Sequence, residues 1–397
     1  MNLRSLLGHL NSVTFSAMQM MTFTFIPLLA EKGNLSVSSV ILSFSVGSFL
    51  FLWSSPFWAS QSDHQGRMKI LAVGMLGLFF SSALILYLLL FPGSIFQNEL
   101  LMWSSRLLYG LTASAIVPVA QALQIDLHPD QAALKSLLSN SMSLNIGRAF
   151  GPLVLLLGGG ENMLAVLQGA AFCSLVLFLM NLAVVKNSPK PRATALPQGL
   201  FKSWWSDVVQ VQNVVILALL FTSFIGILNF SLASLLKETF KLSSADSSEL
   251  MAQVLLGSAL LAVATQALGK ILFKNPWQGA MVLGACSLLL GSLGLQYMEN
   301  QLQLGLAVAF LSVGISLIPP CYLALMATKG AQEHFGRRAG LAAAANTIGY
   351  ALGGAVASFI FKMKFFSVEG VMTLFAFLMM ASIALLYRNR KREEKYV

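Results

Sequence analysis

The chain of 397 residues has a formal net charge of +10, yet only 10% of its residues are charged and 56% are hydrophobic. Soluble domains contain about 25% charged residues, so this composition excludes a water-soluble globular protein. Apolar runs such as residues 70–91 exceed the roughly 20 residues that cross a bilayer, and the mean hydropathy is +0.75. The composition therefore predicts an all-α membrane protein.

The first apolar segment, residues 6–30, is long and carries polar side chains, and it lacks a small-residue cleavage pattern. These features indicate a retained span rather than a signal peptide. Turn and charge clusters separate eleven further spans, which are predicted near residues 36–60, 69–91, 99–125, 133–157, 162–185, 211–236, 247–272, 276–297, 302–327, 337–361 and 367–387.

The basic residues are distributed unequally between the two sides of these spans. With both termini in the cytoplasm, eighteen of the 25 Lys and Arg residues fall on the cytoplasmic side and five on the outer side. The remaining two, Arg106 and Arg148, lie inside spans. The positive-inside rule therefore predicts cytoplasmic termini, and it accounts for the high isoelectric point without a nucleic acid partner.

Residues 186–210 form the longest polar connection, which contains Pro and basic residues, and Trp204 and Trp205 mark an amphipathic stretch at the membrane interface. We therefore expect two bundles of six helices. The predicted domains are an N-terminal bundle at 1–185, a cytoplasmic linker at 186–210, a C-terminal bundle at 211–388 and a basic cytoplasmic tail at 389–397.

The two halves also resemble each other in sequence. A shift of 202 positions superimposes Ile116 on Ile318, Pro118 on Pro320, Ile146 on Ile348, Gly147 on Gly349 and Gly151 on Gly353. These matches fall at helix distortions and close-packing positions, where a structural repeat should persist. Twelve spans with an internal duplication predict two pseudo-symmetric six-helix bundles, an architecture typical of transporters that bind substrate near the membrane midplane.

Residues 59–71, between the second and third spans, contain Asp63, Gly66 and Arg67, followed by Lys69. This order resembles the loop signature of the major facilitator superfamily, from which it departs at Ala59 and His64. We expect a tight turn at Gly66. The resemblance implies that Asp63 and Arg67 pair with charges of other helices, with Asp126 as the matching acid, and act as a conformational latch. The alternative is an ordinary basic loop.

Span 4 carries Arg106 and Tyr109 in a pattern similar to the R-x-x-Q-G-x-G motif of the same superfamily, with Tyr109 in place of Gln. Arg106 lies about 10 Å inside the outer boundary at about 1.5 Å per residue. An arginine at this depth costs roughly 3 kcal/mol or more, so it should face a cavity or a partner. The resemblance implies a role in proton coupling, and the alternative is that the side chain reaches the outer interface.

Span 5 contains the stretch Gly147–Pro152, which matches the G-x-x-x-G-P core of the signature of the antiporter, exporting branch. The signature is incomplete at Leu138, Leu155 and Leu156. Gly147 and Gly151 predict close packing against a helix of the other half, and Pro152 permits a kink.

Arg148 shares a face of this helix with Asn145 and Ser141, and this polar stripe should line the cavity. By depth, Arg106 and Arg148 lie in the same half of the membrane, and no Asp or Glu lies deep in any span. Two buried cations without a protein counter-ion favour an anionic ligand, since Arg binds carboxylates through two hydrogen bonds. Alternatively, carbonyl and hydroxyl groups satisfy both guanidinium groups.

Further polar residues inside spans are candidates for the cavity or for hydrogen bonds between helices; they are Gln19, Thr22, Asn229, Tyr322 after a break at Pro319-Pro320, and Asn346 with Tyr350. The three cysteines fall in apolar runs without ligand spacing, so we expect no metal, no disulfide and no cofactor. No catalytic motif is present, and we expect a transporter rather than an enzyme.

By resemblance over the whole chain, the protein is similar to the 12-span drug and metabolite proton antiporters of the major facilitator superfamily. This implies proton-driven efflux of a small molecule by alternating access, carried out by a monomer in the bacterial inner membrane. A carboxylate siderophore or another polar metabolite suits the two arginines, and a lipophilic drug suits the Met and Phe content. An importer or facilitator of the same fold and a membrane sensor without transport remain alternatives.

Overall fold

The computed structural model of the chain describes residues 2–127, 133–158, 162–185, 200–272, 277–328, 335–363 and 365–393. Throughout these residues the regular elements are helices. They are α1 Leu3–Thr24, α2 Ile26–Lys32, α3 Val37–Gln65, α4 Arg67–Leu90, α5 Ile95–Thr112, a 3₁₀ turn at Ala113–Ala115, α6 Ile116–Leu127, α7 Ala133–Gly158, α8 Met163–Val185, α9 Leu200–Thr239, α10 Ser244–Leu272, α11 Trp277–Gln296, α12 Gln301–Thr328, α13 Phe335–Met363 and α14 Val368–Glu393.

These elements form twelve helical segments in the positions of the twelve predicted spans, because α1 with α2 and α5 with α6 each make one segment. The helices α1 and α2 meet at a bend of 60°, with Pro27 in the first turn of α2. Among the described residues, ten helices are long and apolar enough to cross a membrane, or eleven if the bent pair is one span. The predicted all-α fold with about twelve transmembrane helices is confirmed.

Three details differ from the sequence-based expectation. Helix α9 begins at Leu200, inside the predicted linker, although the side chains of Trp204 and Trp205 lie outside the described residues. Helix α14 continues to Glu393, so part of the predicted tail is helical. Helix α12 runs unbroken through Pro319-Pro320, since packing and neighbouring groups in a membrane protein compensate for a lost backbone hydrogen bond.

The chain divides into two compact units. The first unit comprises Met1–Ala195 and Leu236–Leu256, and the second comprises Leu196–Leu235 and Gly257–Val397. The predicted boundaries at 185, 210 and 388 remain predictions.

Within the first unit, helix α7 packs closely on α1. A Cβ atom on Gly151 would lie 2.5 Å from the carbonyl oxygen of Ala17, and one on Gly147 would collide with the carbonyl oxygen of Val13. The expectation that these glycines pack against a helix of the other half was therefore wrong. A face of small residues permits close approach, but it does not select the partner helix.

The second unit repeats this packing. A Cβ atom on Gly349 would meet Leu219 and Thr222 of α9, and one on Gly353 would meet the carbonyl oxygen of Ser223. In each unit the fifth segment therefore approaches the first segment of the same repeat through a pair of glycines that are 202 positions apart. In a similar way, the third segment approaches the fourth where Gly74 meets Ile116 in the first unit and where Gly284 meets Ile318 in the second. The repeat in the sequence thus corresponds to a repeat in packing, with offsets of a few residues between the contacting positions.

Buried polar pairs connect the helices of the first unit. Asn11 and Asn181 exchange two side-chain amide hydrogen bonds of 3.1 Å. Ser5 donates to the Gln124 side chain at 2.7 Å, and the Gln124 amide donates to the Ser5 carbonyl at 2.9 Å. Since lipid supplies no hydrogen-bond partners, such pairs satisfy polar groups that would otherwise destabilise the fold.

Candidate functional site

The side chain of Arg106 lies in the interior of the first unit and is only 4% exposed. Its helix, α5, is well formed because Ser94 and Gln97 make a capping box at its start. The Arg106 Nη2 group donates to the hydroxyl of Ser81 at 3.1 Å and to that of Ser105 at 3.0 Å. Arg106 therefore turns inward toward α4, and the alternative that it extends to the outer interface is wrong.

Aromatic rings cover the other side of the guanidinium group. Its Cζ atom lies 4.4 Å from the ring centroid of Phe44 and 5.3 Å from that of Tyr109, which are cation–π distances. Tyr109 in turn stacks on Phe15, with ring centroids 6.0 Å apart and planes only 5° from parallel. These contacts hold Arg106 and Tyr109 in fixed positions.

The charge of Arg106 has no acidic partner among the described residues. The ion pairs found among these residues are formed by Arg67 and by Lys237. Within the same residues, the Arg106 Nε–H and the Tyr109 hydroxyl are buried without a hydrogen-bond partner. This arrangement leaves two polar groups available to a ligand inside an otherwise apolar environment.

Two pockets flank Arg106 and Tyr109, and both belong to the first unit. The first is narrow and is lined by Gln19, Thr22, Phe23, Phe44, Ser48, Arg106 and Tyr109. The second extends toward α4 and α8 and is lined by Met18, Met21, Thr22, Leu78, Ser81, Ser82, Ile85, Arg106, Tyr109, Leu167 and Ala170. The predicted candidates Gln19, Thr22, Arg106 and Tyr109 thus come together.

Arg148 occupies a different environment from Arg106. It is exposed, and its Nη1 group donates to the Asn145 side chain at 3.4 Å, as the predicted polar stripe requires. It lines neither of the two pockets. Arg148 is therefore not buried within the first unit, because the Gly147 face of α7 packs on α1 and the neighbouring face does not. Its contact with a ligand stays a prediction. The side chain of Ser141, the third predicted member of this stripe, lies outside the described residues.

The polar candidates in the second unit contact one another across helices. Asn229 of α9 donates to the Tyr350 hydroxyl of α13 at 3.3 Å. The hydroxyl of the buried Tyr322 donates to the Asn346 side chain at 3.0 Å. Asn346 and Tyr350, four residues apart, therefore bind different helices, and all four residues connect helices of this unit.

The signature loop forms a charge cluster in the first unit. Arg67 binds Asp63 through Nη1 at 2.5 Å and Asp126 through Nε at 2.8 Å, and it also donates to the Ser62 hydroxyl at 2.6 Å. Gly66 precedes it with φ of +96°, a conformation that other residues rarely adopt. The chain therefore turns sharply between α3 and α4 and places Arg67 between two carboxylates.

A second cluster joins Ile26–Lys32 to Leu236–Leu256 within the first unit. The Lys237 ammonium group binds the Glu31 carboxylate at 2.9 Å, and Ser244 donates a hydrogen bond to the same carboxylate oxygen. This cluster was not predicted from the sequence, and neither were the hydroxyl partners Ser81 and Ser105 of Arg106. Hydroxyl residues inside apolar runs were the available signal, but pairs separated by 25 or 206 positions cannot be assigned from spacing.

Solved structures of membrane transporters share this fold. The nucleoside transporter NupG matches with a TM-score of 0.72 and 12% identity, covering 98% of this chain and 99% of its own. The human organic anion transporter MFSD10 (TETRAN) matches with 0.64 and 17%, covering 97% and 100%. A POT family transporter in complex with a thioalcohol-conjugated peptide matches with 0.71 and 14%, covering 97% and 96%.

At such identities these likenesses show the fold alone. No curated protein matches the chain in a sequence comparison. The profile of the Major Facilitator Superfamily, by contrast, matches residues 9–354, which is most of the chain. Together with the helical fold and the repeat in packing, this match establishes that the chain belongs to the Major Facilitator Superfamily of membrane transporters.

Proposed function

We propose that this protein exports a small polar or anionic metabolite from the cytoplasm in exchange for protons. It does so by alternating access, as a monomer in the bacterial inner membrane with both termini in the cytoplasm. It uses no metal or cofactor, and the proton gradient is its driving force. The observation that carries this proposal is the close contact of Gly147 and Gly151 with α1.

This contact involves the residues of the exporter-type signature. Gly147, Gly151 and Pro152 supply the G-x-x-x-G-P core, and both glycines leave no room for a side chain against α1. Such packing lets α1 and the glycine-containing part of α7 move as one body. Pro152 is then the point at which α7 bends. The equivalent packing of Gly349 and Gly353 in the second unit supports a mechanism in which both halves are built from similar rigid pairs.

The substrate class follows from Arg106. A buried guanidinium group without an acidic partner among the described residues favours a ligand that brings negative charge. A carboxylate-type siderophore would meet this requirement. Met18, Met21 and Phe23 around the two pockets favour a lipophilic drug as the second candidate.

The charge cluster around Arg67 supports a conformational latch. Its two ion pairs connect the start of α4 to the last turn of α3 and to the end of α6, and breaking them would release one state of the transport cycle. The proton-carrying groups that we consider are Glu31, Asp63, Asp126 and a carboxylate of the substrate itself. The incomplete signature, with Leu138, Leu155 and Leu156 at positions usually occupied by glycine, favours an importer or facilitator as the competing function.

Counterflow in proteoliposomes tests this proposal. Purified protein is reconstituted, and uptake of labelled anionic and cationic compounds is measured with an excess of the same unlabelled compound inside. We expect counterflow of polar anions and its dependence on Arg106. Arg148→Gln should reduce counterflow as well, because we propose that Arg148 contacts the substrate on its path. Unchanged transport by this variant would remove Arg148 from the site, and counterflow of cations alone would contradict the substrate class.

A further inference from the structure

The polar groups that line the pocket between α1, α3 and α5 differ in whether their hydrogen-bonding capacity is used. The Thr22 hydroxyl donates to the Met18 carbonyl, and the Ser48 hydroxyl donates to the Phe44 carbonyl. These hydroxyl groups are therefore bound to their own helices. A ligand in this pocket would therefore accept hydrogen bonds from groups other than the Thr22 and Ser48 hydroxyls.

The available donors converge on Arg106 and Tyr109. Both Arg106 bonds to Ser81 and Ser105 come from Nη2, and the Nε–H is buried without a hydrogen-bond partner among the described residues. Among the same residues, the Tyr109 hydroxyl is also buried without a partner. Gln19 of α1 lines the same pocket and adds an amide. The two α5 residues are three positions apart and thus share a face of the helix.

The electrostatics of this pocket select the sign of the ligand. The lining contains one cation and no acidic side chain, and two of the walls are the rings of Phe23 and Phe44. Because a buried charge is costly without a partner, an anion in this pocket would compensate Arg106. A divalent anion beside Arg106 would leave one uncompensated negative charge in the buried pocket. The single positive charge of Arg106 is therefore matched by an anion with one negative charge.

We propose that Arg106, Tyr109 and Gln19 form a binding site for one small monovalent anionic group, complete within the first unit. The planar guanidinium group matches a carboxylate or nitrate, and chloride satisfies the same donors without geometric preference. The bound anionic group can come from two sources. The first is an inorganic anion that stays in the site. The second is the carboxylate end of the transported molecule, and this second source rests on the proposed function.

Ligand-dependent thermal stability of the purified full chain in detergent tests the site without any transport. The unfolding midpoint is measured against increasing sodium chloride, nitrate or acetate, with sodium sulfate balancing the ionic strength. We expect a saturable rise of the midpoint with the monovalent anions. Arg106→Gln should abolish it, and Tyr109→Phe should weaken the apparent Kd about tenfold through the loss of one hydrogen bond to a charged ligand. The matched controls Arg4→Gln and Tyr297→Phe, which lie outside the pocket, should keep the wild-type Kd.

The outcomes separate the two sources and the two proposals. Saturation by chloride identifies a resident inorganic anion, whereas saturation by acetate and nitrate with no response to chloride identifies a site for a planar carboxylate group. Equal anion responses in wild type and Arg106→Gln, or no saturable response in the wild type, would overturn the site. If Arg106→Gln does not fold, the Tyr109→Phe variant tests the site, because the Tyr109 hydroxyl has no hydrogen-bond partner among the described residues whose loss would destabilise the fold. An unchanged anion Kd in Tyr109→Phe would then contradict the proposal. A failed counterflow assay would leave these binding results standing.

Discussion

Asn11 of α1 and Asn181 of α8 exchange two amide hydrogen bonds of 3.1 Å, and neither side chain is exposed. The two helices are therefore joined by a pair that has no access to water. Removing one amide leaves the other buried without its partner, whereas removing both leaves an apolar contact.

We expect Asn11→Leu and Asn181→Leu each to lower the free energy of unfolding by about 1–2 kcal/mol. The double variant should lose less than the sum of the two, because the unpaired amide that each single variant leaves is then absent. Denaturation in mixed detergent micelles measures the three values. Strict additivity would show that the two amides do not depend on each other.

The contact between α7 and α1 predicts a second effect on stability. A Cβ atom on Gly151 would lie 2.5 Å from the backbone oxygen of Ala17, which cannot move independently of its helix. Gly151→Ala should therefore destabilise the protein by about 1–3 kcal/mol. Gly169→Ala in α8 is the matched control, since a Cβ atom there would meet open space. It should be neutral or stabilising by up to about 1 kcal/mol. Similar effects of the two variants on the unfolding midpoint would refute the close contact.

The Arg67 cluster predicts a difference between arginine and lysine. Arg67 reaches Asp63 through Nη1 and Asp126 through Nε, and a lysine ammonium group has no comparable fork. Arg67→Lys should therefore reduce the transport rate nearly as much as Arg67→Gln, while the folded fraction stays close to wild type. Lys69→Arg, at a basic position outside this cluster, serves as the control. Full activity of Arg67→Lys would mean that positive charge alone is required.

The pair of Glu31 and Lys237 should contribute little to stability. Its side chains are 59% and 35% exposed, so solvent and salt weaken their attraction. We expect Glu31→Gln to change the free energy of unfolding by at most about 1 kcal/mol, with a smaller difference from wild type at high salt. A larger, salt-independent loss would contradict the view that this is an exposed ion pair screened by solvent.

Much of the fold could be predicted because runs of about 20 apolar residues reflect the thickness of the bilayer directly. The start of α9 could not be predicted in this way, since residues 200–210 are helical but mix apolar with polar and charged side chains. The repeat at Gly147 and Gly349 was visible because packing without a side chain restricts those positions to glycine. The helix that each glycine approaches depends on tertiary structure.

The candidate site could be predicted only in part for a similar reason. Arg106 and Tyr109 stood out because an arginine deep in a span needs an explanation. Their actual surroundings, Ser81 from α4 and Phe44 from α3, come from distant positions in the chain. Arg148 looked equivalent by depth, but depth along a helix does not specify which face is buried.

The direction of proton coupling tests the central claim most directly. Everted membrane vesicles containing the protein are given an acidic interior, and accumulation of a labelled anion identified by counterflow is measured together with the internal pH. For proton-driven export we expect accumulation against the concentration gradient and a substrate-dependent rise of internal pH, and both should be lost when the pH gradient is collapsed. Accumulation only in right-side-out vesicles, or transport that ignores the pH gradient, would contradict proton-driven export.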